Sequence, residues 1–380
     1  MNEVALKIQR RRYFSEAVRE ISIYRRLRAC PGTVKLQEAF LEDGHVCMAF
    51  EKHGNSLAVA LDRGAIEPAH ARRVAGQLLV ALDHMHRCGY THTDIKPENV
   101  LYRSGSGEAR LADLGDAEKR LRQGTLYGTR EYTPPEVLLG TPLRASLDTW
   151  SFGCTVFEML TGDLLFDPRA AAANKYHEFS PNGDAPQIPL ATSVTEDLAQ
   201  EEAEQMASGM TIADKYRLKH PLGRGRFSTV WAAEQLSDIP LEKERPVVRN
   251  NGAKHSHRVN RTKRERKDRQ WRRAKGAADV LDLALNYEQL LLMAELCEPF
   301  PREMVELARY RASYFEVDGS FRFQPHLRQT SIRERLRASS KLRTGSLDRV
   351  SNFLSRCLKL DPTKRPALPD ALADAWFIND

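Results

Sequence analysis

The sequence predicts an α+β protein whose strands gather near the N-terminus and whose helices dominate the rest, and four stretches carry that reading. VALKIQ (Val4–Gln9) alternates apolar and polar residues with the period of two of a half-buried strand. FSEAVREISIYRRL (Phe14–Leu27) then spaces its apolar residues as a helix does. GHVCMAFEKHGNSL (Gly44–Leu57) reads as a strand ending at a glycine-containing break, and AHARRVAGQLLVALDHMHRCGY (Ala69–Tyr90) keeps the long apolar period of a buried helix.

Composition bounds the rest. A chain of 380 residues with 41% hydrophobic content can bury a large core, and no apolar run approaches the ~18 residues a membrane span needs. The expectation is a soluble protein with no membrane partner. MNEVALKIQRRRYF lacks the apolar core of a signal peptide, and Cys30, Cys47, Cys88, Cys154, Cys297 and Cys357 show no CxxC pairing. Reduced thiols and a cytoplasmic or nuclear location follow as expectations. The net charge of +7 is concentrated in residues 241–275, which hold 14 lysines and arginines against four acids. RTKRERKDRQWRRAK (Arg261–Lys275) reads first as a solvated arm and only weakly as a nucleic-acid or nuclear-targeting patch.

The loop after the buried helix, THTDIKPENVL (Thr91–Leu101), sets an Asp, a Lys and an Asn at the spacing that phosphoryl transfer to a hydroxyl requires. Asp94 can accept the hydroxyl proton, Lys96 can steady the transferring charge, and Asn99 can hold Mg²⁺ through its amide oxygen. Nineteen residues after Asp94, LADLGDAE (Leu111–Glu118) carries Asp113-Leu114-Gly115, which resembles the DFG motif of protein kinases and so implies Asp113 as a second Mg²⁺ donor.

These segments resemble the eukaryotic protein kinases, and HTDIKPEN, with Thr93 in place of the usual arginine, is similar to the SR-protein kinases of the CMGC group. The resemblance implies a bilobal kinase-like fold with a small β-rich N-lobe and a larger helical C-lobe, and it implies ATP and Mg²⁺ as cofactors. Lys7 would contact the α and β phosphates, and Glu20, thirteen residues on, would orient it. Phe50 would stand as gatekeeper, the backbone of Glu51 and His53 would bind the adenine edge, His53 would be an exposed hinge residue, and Leu101 would lie under the base. GTREYTPPEVLLG (Gly128–Gly140) would close the activation segment, with Thr129 bonded to Asp94. SLDTWSFGCTVFEMLTGDLLF (Ser146–Phe166), with its buried Asp148, and FLSRCLKLDPTKRPALPDAL (Phe353–Leu372) match the helices of the larger lobe, and Glu136 would pair with Arg365. Thr133 stands where CMGC kinases usually carry an arginine. Within GAADVLDLALNYEQLLLMAELCEPFPREMVELARY (Gly276–Tyr310), Glu288 and Glu295 share a helical face and match positions that dock arginine-rich substrates.

A glycine-rich hairpin should precede the Lys7 strand, yet DKYRLKHPLGRGRFSTVWAAEQ (Asp214–Gln235) appears far downstream. Gly223, Gly225, Ser228 and Val230 lie in its GxGxFSxVW pattern, which resembles the first two strands of the family. Three explanations stay open: the hairpin returns to pair with the Lys7 strand, a truncated second kinase copy begins near Met206, or the residue order reflects a misassembled gene model. Linkers of about forty residues can reach, since extended chain spans ~3.3 Å per residue. The expected division is 1–55 and 56–168 for the N-lobe and first part of the C-lobe, 169–275 for an insert holding the hairpin 214–235 and the basic segment 241–275, and 276–380 for the second part of the C-lobe. The expected activity is that of a monomeric serine/threonine kinase acting on arginine/serine-rich protein segments. The rival is an impaired kinase-fold scaffold or a fragment of a rearranged gene.

Overall fold

The computed structural model describes residues 3–172, 206–225, 227–236, 282–322, 327–340 and 342–378. The basic arm Arg261–Lys275 lies outside the described residues.

Strand β1 (Glu3–Gln9) buries Val4, Leu6 and Ile8 on one face and turns Lys7 to the other, as its alternation requires. Helix α1 (Phe14–Arg26) follows, then β2 (Leu36–Glu42) and β3 (His45–Glu51). The short β4 (Asn55–Ser56) and α2 (Leu57–Leu61) lead to α3 (Pro68–Arg87), whose proline sits where a helix needs no N–H donor. Strands β5 (Val100–Arg103) and β6 (Glu108–Leu111) flank the turn before the activation segment, which ends in α4 (Pro135–Leu139). Helix α5 (Leu147–Thr161) is buried on every side except at Glu158, and an apolar surface all round belongs at the centre of a lobe.

The hairpin comes next, as β7 (Thr211–Ile212), β8 (Tyr216–Arg224) and β9 (Ser228–Gln235). Helix α6 (residues 282–296), α7 (Arg302–Glu306), α8 (Arg311–Tyr314), α9 (Ile332–Ser339), α10 (Thr344–Cys357), α11 (Leu368–Leu372) and α12 (Ala375–Ile378) complete the larger lobe. The fold is the bilobal α+β arrangement.

Six strands form one antiparallel sheet in the order β2-β3-β1-β9-β8-β7. Strand β1 lies inside it, with Lys7 opposite Met48 of β3 on one side and Val230 of β9 on the other. The hairpin at 211–235 therefore belongs to the sheet of the small lobe. The sheet curls until its two edges meet. Glu38 of β2 accepts from the Tyr216 hydroxyl and pairs with Lys215 at 2.9 Å, while Phe40 stacks on Tyr216 with centroids 5.9 Å apart. Inside the curl Val4, Leu6, Ile8, Cys47, Ala49, Tyr216, Leu218 and Trp231 form their own core.

The larger lobe is fixed by a buried ion pair. Arg365 donates to both carboxylate oxygens of Glu136, at 2.6 and 2.7 Å, and neither side chain is exposed. Arg365 also donates to the carbonyls of Ser146, Lys359 and Leu360, so its guanidinium is fully used inside the protein.

Glu38→Ala is expected to lower stability by about 3 kcal/mol in urea unfolding, because it strands the buried Lys215 ammonium without its carboxylate. A loss within experimental error would show that the curl is held by apolar packing alone.

Candidate active site

Lys7 reaches out from the face of β1 that points away from the curl's core and meets Glu20 of α1 at 2.8 Å and Asp113 at 3.0 Å. Burial alone would depress the Lys7 ammonium, but Glu20 and Asp113 together hold its pKa above the ordinary value. Lys7 in turn holds the Asp113 carboxyl below the usual carboxylate range. Asp113 has a left-handed backbone (φ 55°), and its side chain stays 50% exposed toward the interlobe space. The buried Leu114 fixes the turn behind it.

The catalytic loop is organised from below by Asp148, which α5 presents fully buried. Its two oxygens accept the backbone N–H of His92 and of Thr93, both at 2.8 Å, and His86 of α3 donates to it at 2.7 Å. Those bonds hold Thr93 at φ 72°, a conformation costly for a β-branched residue and sustained only where the surroundings dictate it. Thr93, where the family usually has arginine, spends its hydroxyl on the Asp116 carbonyl at 3.0 Å.

The strained backbone carries three side chains into one hydrogen-bonded set. Asp94 accepts from Thr129 at 2.8 Å and lies 2.8 Å from the Lys96 ammonium. Lys96 also donates to the Thr129 hydroxyl at 2.6 Å, so the threonine bridges acid and base. Asn99 turns its amide nitrogen to the Asp94 carbonyl and carboxylate, at 2.8 and 3.0 Å, and its amide oxygen is the acceptor that remains for a cation. Asn99 sits in a 3-10 turn, Pro97–Asn99, that packs beneath the strand carrying Leu101.

The other residues singled out by the sequence lie on the strands and turns around this set. Val230 faces the same side as Lys7 because opposed residues of an antiparallel pair share a face, and Ser228 opposite Gln9 does likewise. Gly223 and Gly225 flank the hairpin turn, which Gly225 closes by donating to the Ser228 carbonyl at 2.9 Å. Phe227 packs edge-on against Tyr13 at 4.8 Å. Phe50 is buried against Tyr24 at the back of the space. Glu51 ends β3, and Leu101 packs half-buried on the main core. His53 departs from expectation: it is half-buried rather than exposed, its ring meets the Glu108 carbonyl at 3.4 Å, and burial lowers its pKa. Glu295 of α6 accepts the Arg328 backbone N–H on one carboxylate oxygen at 3.2 Å.

Two features escaped the sequence reading. Arg130, in the turn before α4, pairs with Asp282 at 2.5 Å and donates to Asn286 at 2.8 Å, tying the activation segment to α6. Glu158 accepts the Tyr132 hydroxyl at 2.6 Å, and burial pushes its carboxyl up to about 7, with Glu98 and Glu131 adding to the rise. A carboxylate in an otherwise apolar helix was the available signal for Glu158. Arg130 had none, since its partners lie beyond a long stretch of chain.

Residues 2–215, more than half of the chain, match the protein kinase domain family, and the match stops just before β8. The chain belongs to that family. Among curated proteins, this kinase-family chain is 33% identical over 167 residues to serine/threonine-protein kinase prp4 of Schizosaccharomyces pombe, covering 41% of the chain and 35% of that protein. It is 33% identical over 175 residues to human dual specificity tyrosine-phosphorylation-regulated kinase 3, covering 43% and 30%. With serine/threonine-protein kinase AFC3 of Arabidopsis thaliana the identity is 32% over 197 residues, covering 43% and 49%. The matched stretch of this kinase-family chain thus spans from about a third to a half of the length of these relatives. No helix among the described residues is long and apolar enough to cross a membrane.

Thr129→Val removes the hydroxyl that both Asp94 and Lys96 use. It is expected to lower kcat for phosphoryl transfer roughly 10- to 100-fold through misaiming alone, with the melting temperature little changed; wild-type kcat would show that Lys96 orients Asp94 unaided.

Proposed function

We propose that this protein is a serine/threonine protein kinase that transfers the γ-phosphoryl of Mg·ATP to hydroxyls in basic, arginine/serine-rich protein segments. One observation carries the reading: Lys7–Glu20–Asp113 and Asp94–Lys96–Thr129–Asn99 are two complete hydrogen-bonded sets facing one space between the lobes. The small lobe is then residues 3–55 together with 206–236, and the glycine-rich hairpin serves as the cover of the phosphate site.

The residues present suit the nucleotide and the metal. Asp113 and Asn99 offer hard oxygen donors of the kind Mg²⁺ takes alongside phosphates. Among the described residues, chain neighbours aside, a Cβ on Gly223 would meet no atom within 4 Å, and one on Gly225 would meet the Ser228 carbonyl at 3.8 Å, so packing among them does not demand these glycines. Close approach of a ligand to the turn does. Lys7, Asp113, Asn99, Leu101, Val230, Ser228, the two glycines and the backbone of Glu51 and His53 would hold Mg·ATP. Bound there, it supplies the phosphoryl group and a cation that draws charge from the phosphate oxygens.

The protein's own groups do the rest. Glu20 keeps the Lys7 ammonium extended. The Asp94 carboxylate, aimed by Thr129, takes the proton of the attacking hydroxyl, and Lys96 stands beside it to balance charge on the transferring group. The basic substrate class rests on Glu98, Glu131 and Glu158, since the charges of Glu98 and Glu131 both reach the Glu158 carboxyl beside the catalytic loop. Carboxylates so placed recruit arginine and disfavour acidic segments.

Asp94→Asn is expected to cut transfer to an arginine/serine-repeat peptide about 10²- to 10⁴-fold while the thermal shift with Mg·ATP persists. Undiminished transfer would sink the assignment, and a wild-type protein with neither shift nor transfer would favour a scaffold.

Glu158 gives a pH test. A carboxyl with a raised pKa of about 7 is neutral below that pH and charged above it. The KM for the basic peptide is therefore expected to fall about fivefold between pH 6 and pH 8, the weight of one partly screened charge pair. Glu158→Gln should flatten the profile; an unchanged slope would remove Glu158 from substrate binding.

A further inference from the structure

We propose that Arg19 is a positioning residue that clamps α1 against the start of the activation segment and so keeps Glu20, Lys7 and Asp113 assembled. The inference rests on the kinase reading above and adds a residue to it.

Arg19 and Glu20 are consecutive on α1, about 100° apart around the helix. Glu20 points inward to Lys7 and is almost wholly buried, whereas Arg19 reaches sideways to the segment that begins at Asp113. Its guanidinium donates to the Gly115 carbonyl at 2.5 Å and to the Ala117 carbonyl, and lies 3.1 Å from the Glu118 carboxylate. Glu118 is itself tied to the catalytic loop, since its N–H and carbonyl exchange hydrogen bonds with Thr91, both at 2.8 Å. Arg19 thus joins the helix that carries Glu20, the turn that carries Asp113, and the strand bridge that leads to Asp94.

The fit of this contact is close. A Cβ on Gly115 would stand 3.4 Å from the Asp113 carboxylate and 3.6 Å from that of Glu20, so the turn already lies against the Lys7 pair. The fixed fork of five N–H donors in arginine suits two carbonyls and a carboxylate at once, a task a lysine ammonium on a flexible stem meets only in part. Half-exposed as it is, the ion pair with Glu118 is weak by itself. The two carbonyl bonds matter more, because they form only while α1 lies against the segment, and an interaction made in one position and lost in the other shifts the population between them.

The experiment compares wild type, Arg19→Ala and Arg19→Lys in the full chain by two readouts. Hydrogen exchange of amides 114–118 reports the clamp without any substrate, and steady-state kinetics report kcat and the KM values. Arg19→Ala is expected to speed exchange across 114–118 and to lower kcat about tenfold, with the peptide KM and melting temperature near wild type; Arg19→Lys should fall between. Wild-type exchange and wild-type kcat in Arg19→Ala overturn the proposal. Should Arg19→Ala not fold, Arg19→Lys decides, and wild-type behaviour there overturns it equally. A wild-type protein that transfers no phosphate rejects the kinase reading, while the exchange data still judge the clamp.

Discussion

Strand β1 is hydrogen-bonded along both edges, and the rest of the site depends on that. On one side β3 fixes the depth of the space between the lobes, and on the other β9 brings the glycine turn over it. Because side chains alternate along a strand, a slip of one residue in either pairing would send Lys7 into the apolar curl and Leu6 into the active site. The register holds because both faces are committed. Val4, Leu6 and Ile8 are locked into the core of the curled sheet, and Lys7 into its pair with Glu20.

Charge is organised around that strand in layers of decreasing burial. Glu136–Arg365 and the Asp148 hydrogen bonds lie fully inside, where they set backbone positions and meet no substrate. The Lys7–Glu20 pair is nearly buried, with one flank open through Asp113. Glu158, Glu98 and Glu131 lie nearer solvent, where the charges of Glu98 and Glu131 help to raise the Glu158 carboxyl. Rigid inner pairs leave the groups between the lobes preorganised, as phosphoryl transfer requires.

The hairpin is attached by more than its ladder. Lys215 and Tyr216 converge on Glu38, and Ala213 donates to Glu42 at 3.2 Å, so the β7–β8 end of the sheet is also fastened to the opposite edge strand β2. Six strands with their edges drawn together make a rigid cover. Arg130 does the corresponding work below, joining the activation segment to α6 across a stretch of more than 150 residues in sequence.

The sequence by itself determined the local chemistry. Asp94, Lys96 and Asn99 fall within six residues, so their convergence follows from a single loop, and Lys7, Glu20 and Asp113 lie on elements whose type the apolar periods reveal. The Glu136–Arg365 pair was legible by resemblance. Tertiary structure alone decided that Ser228–Glu234 pair with β1, that His53 is half-buried, that Glu295 accepts the Arg328 N–H, and which partners Arg19, Arg130 and Glu158 meet. Each of these turns on surfaces meeting from distant parts of the chain. Periodicity encodes which face of an element is buried, but not which partner buries it.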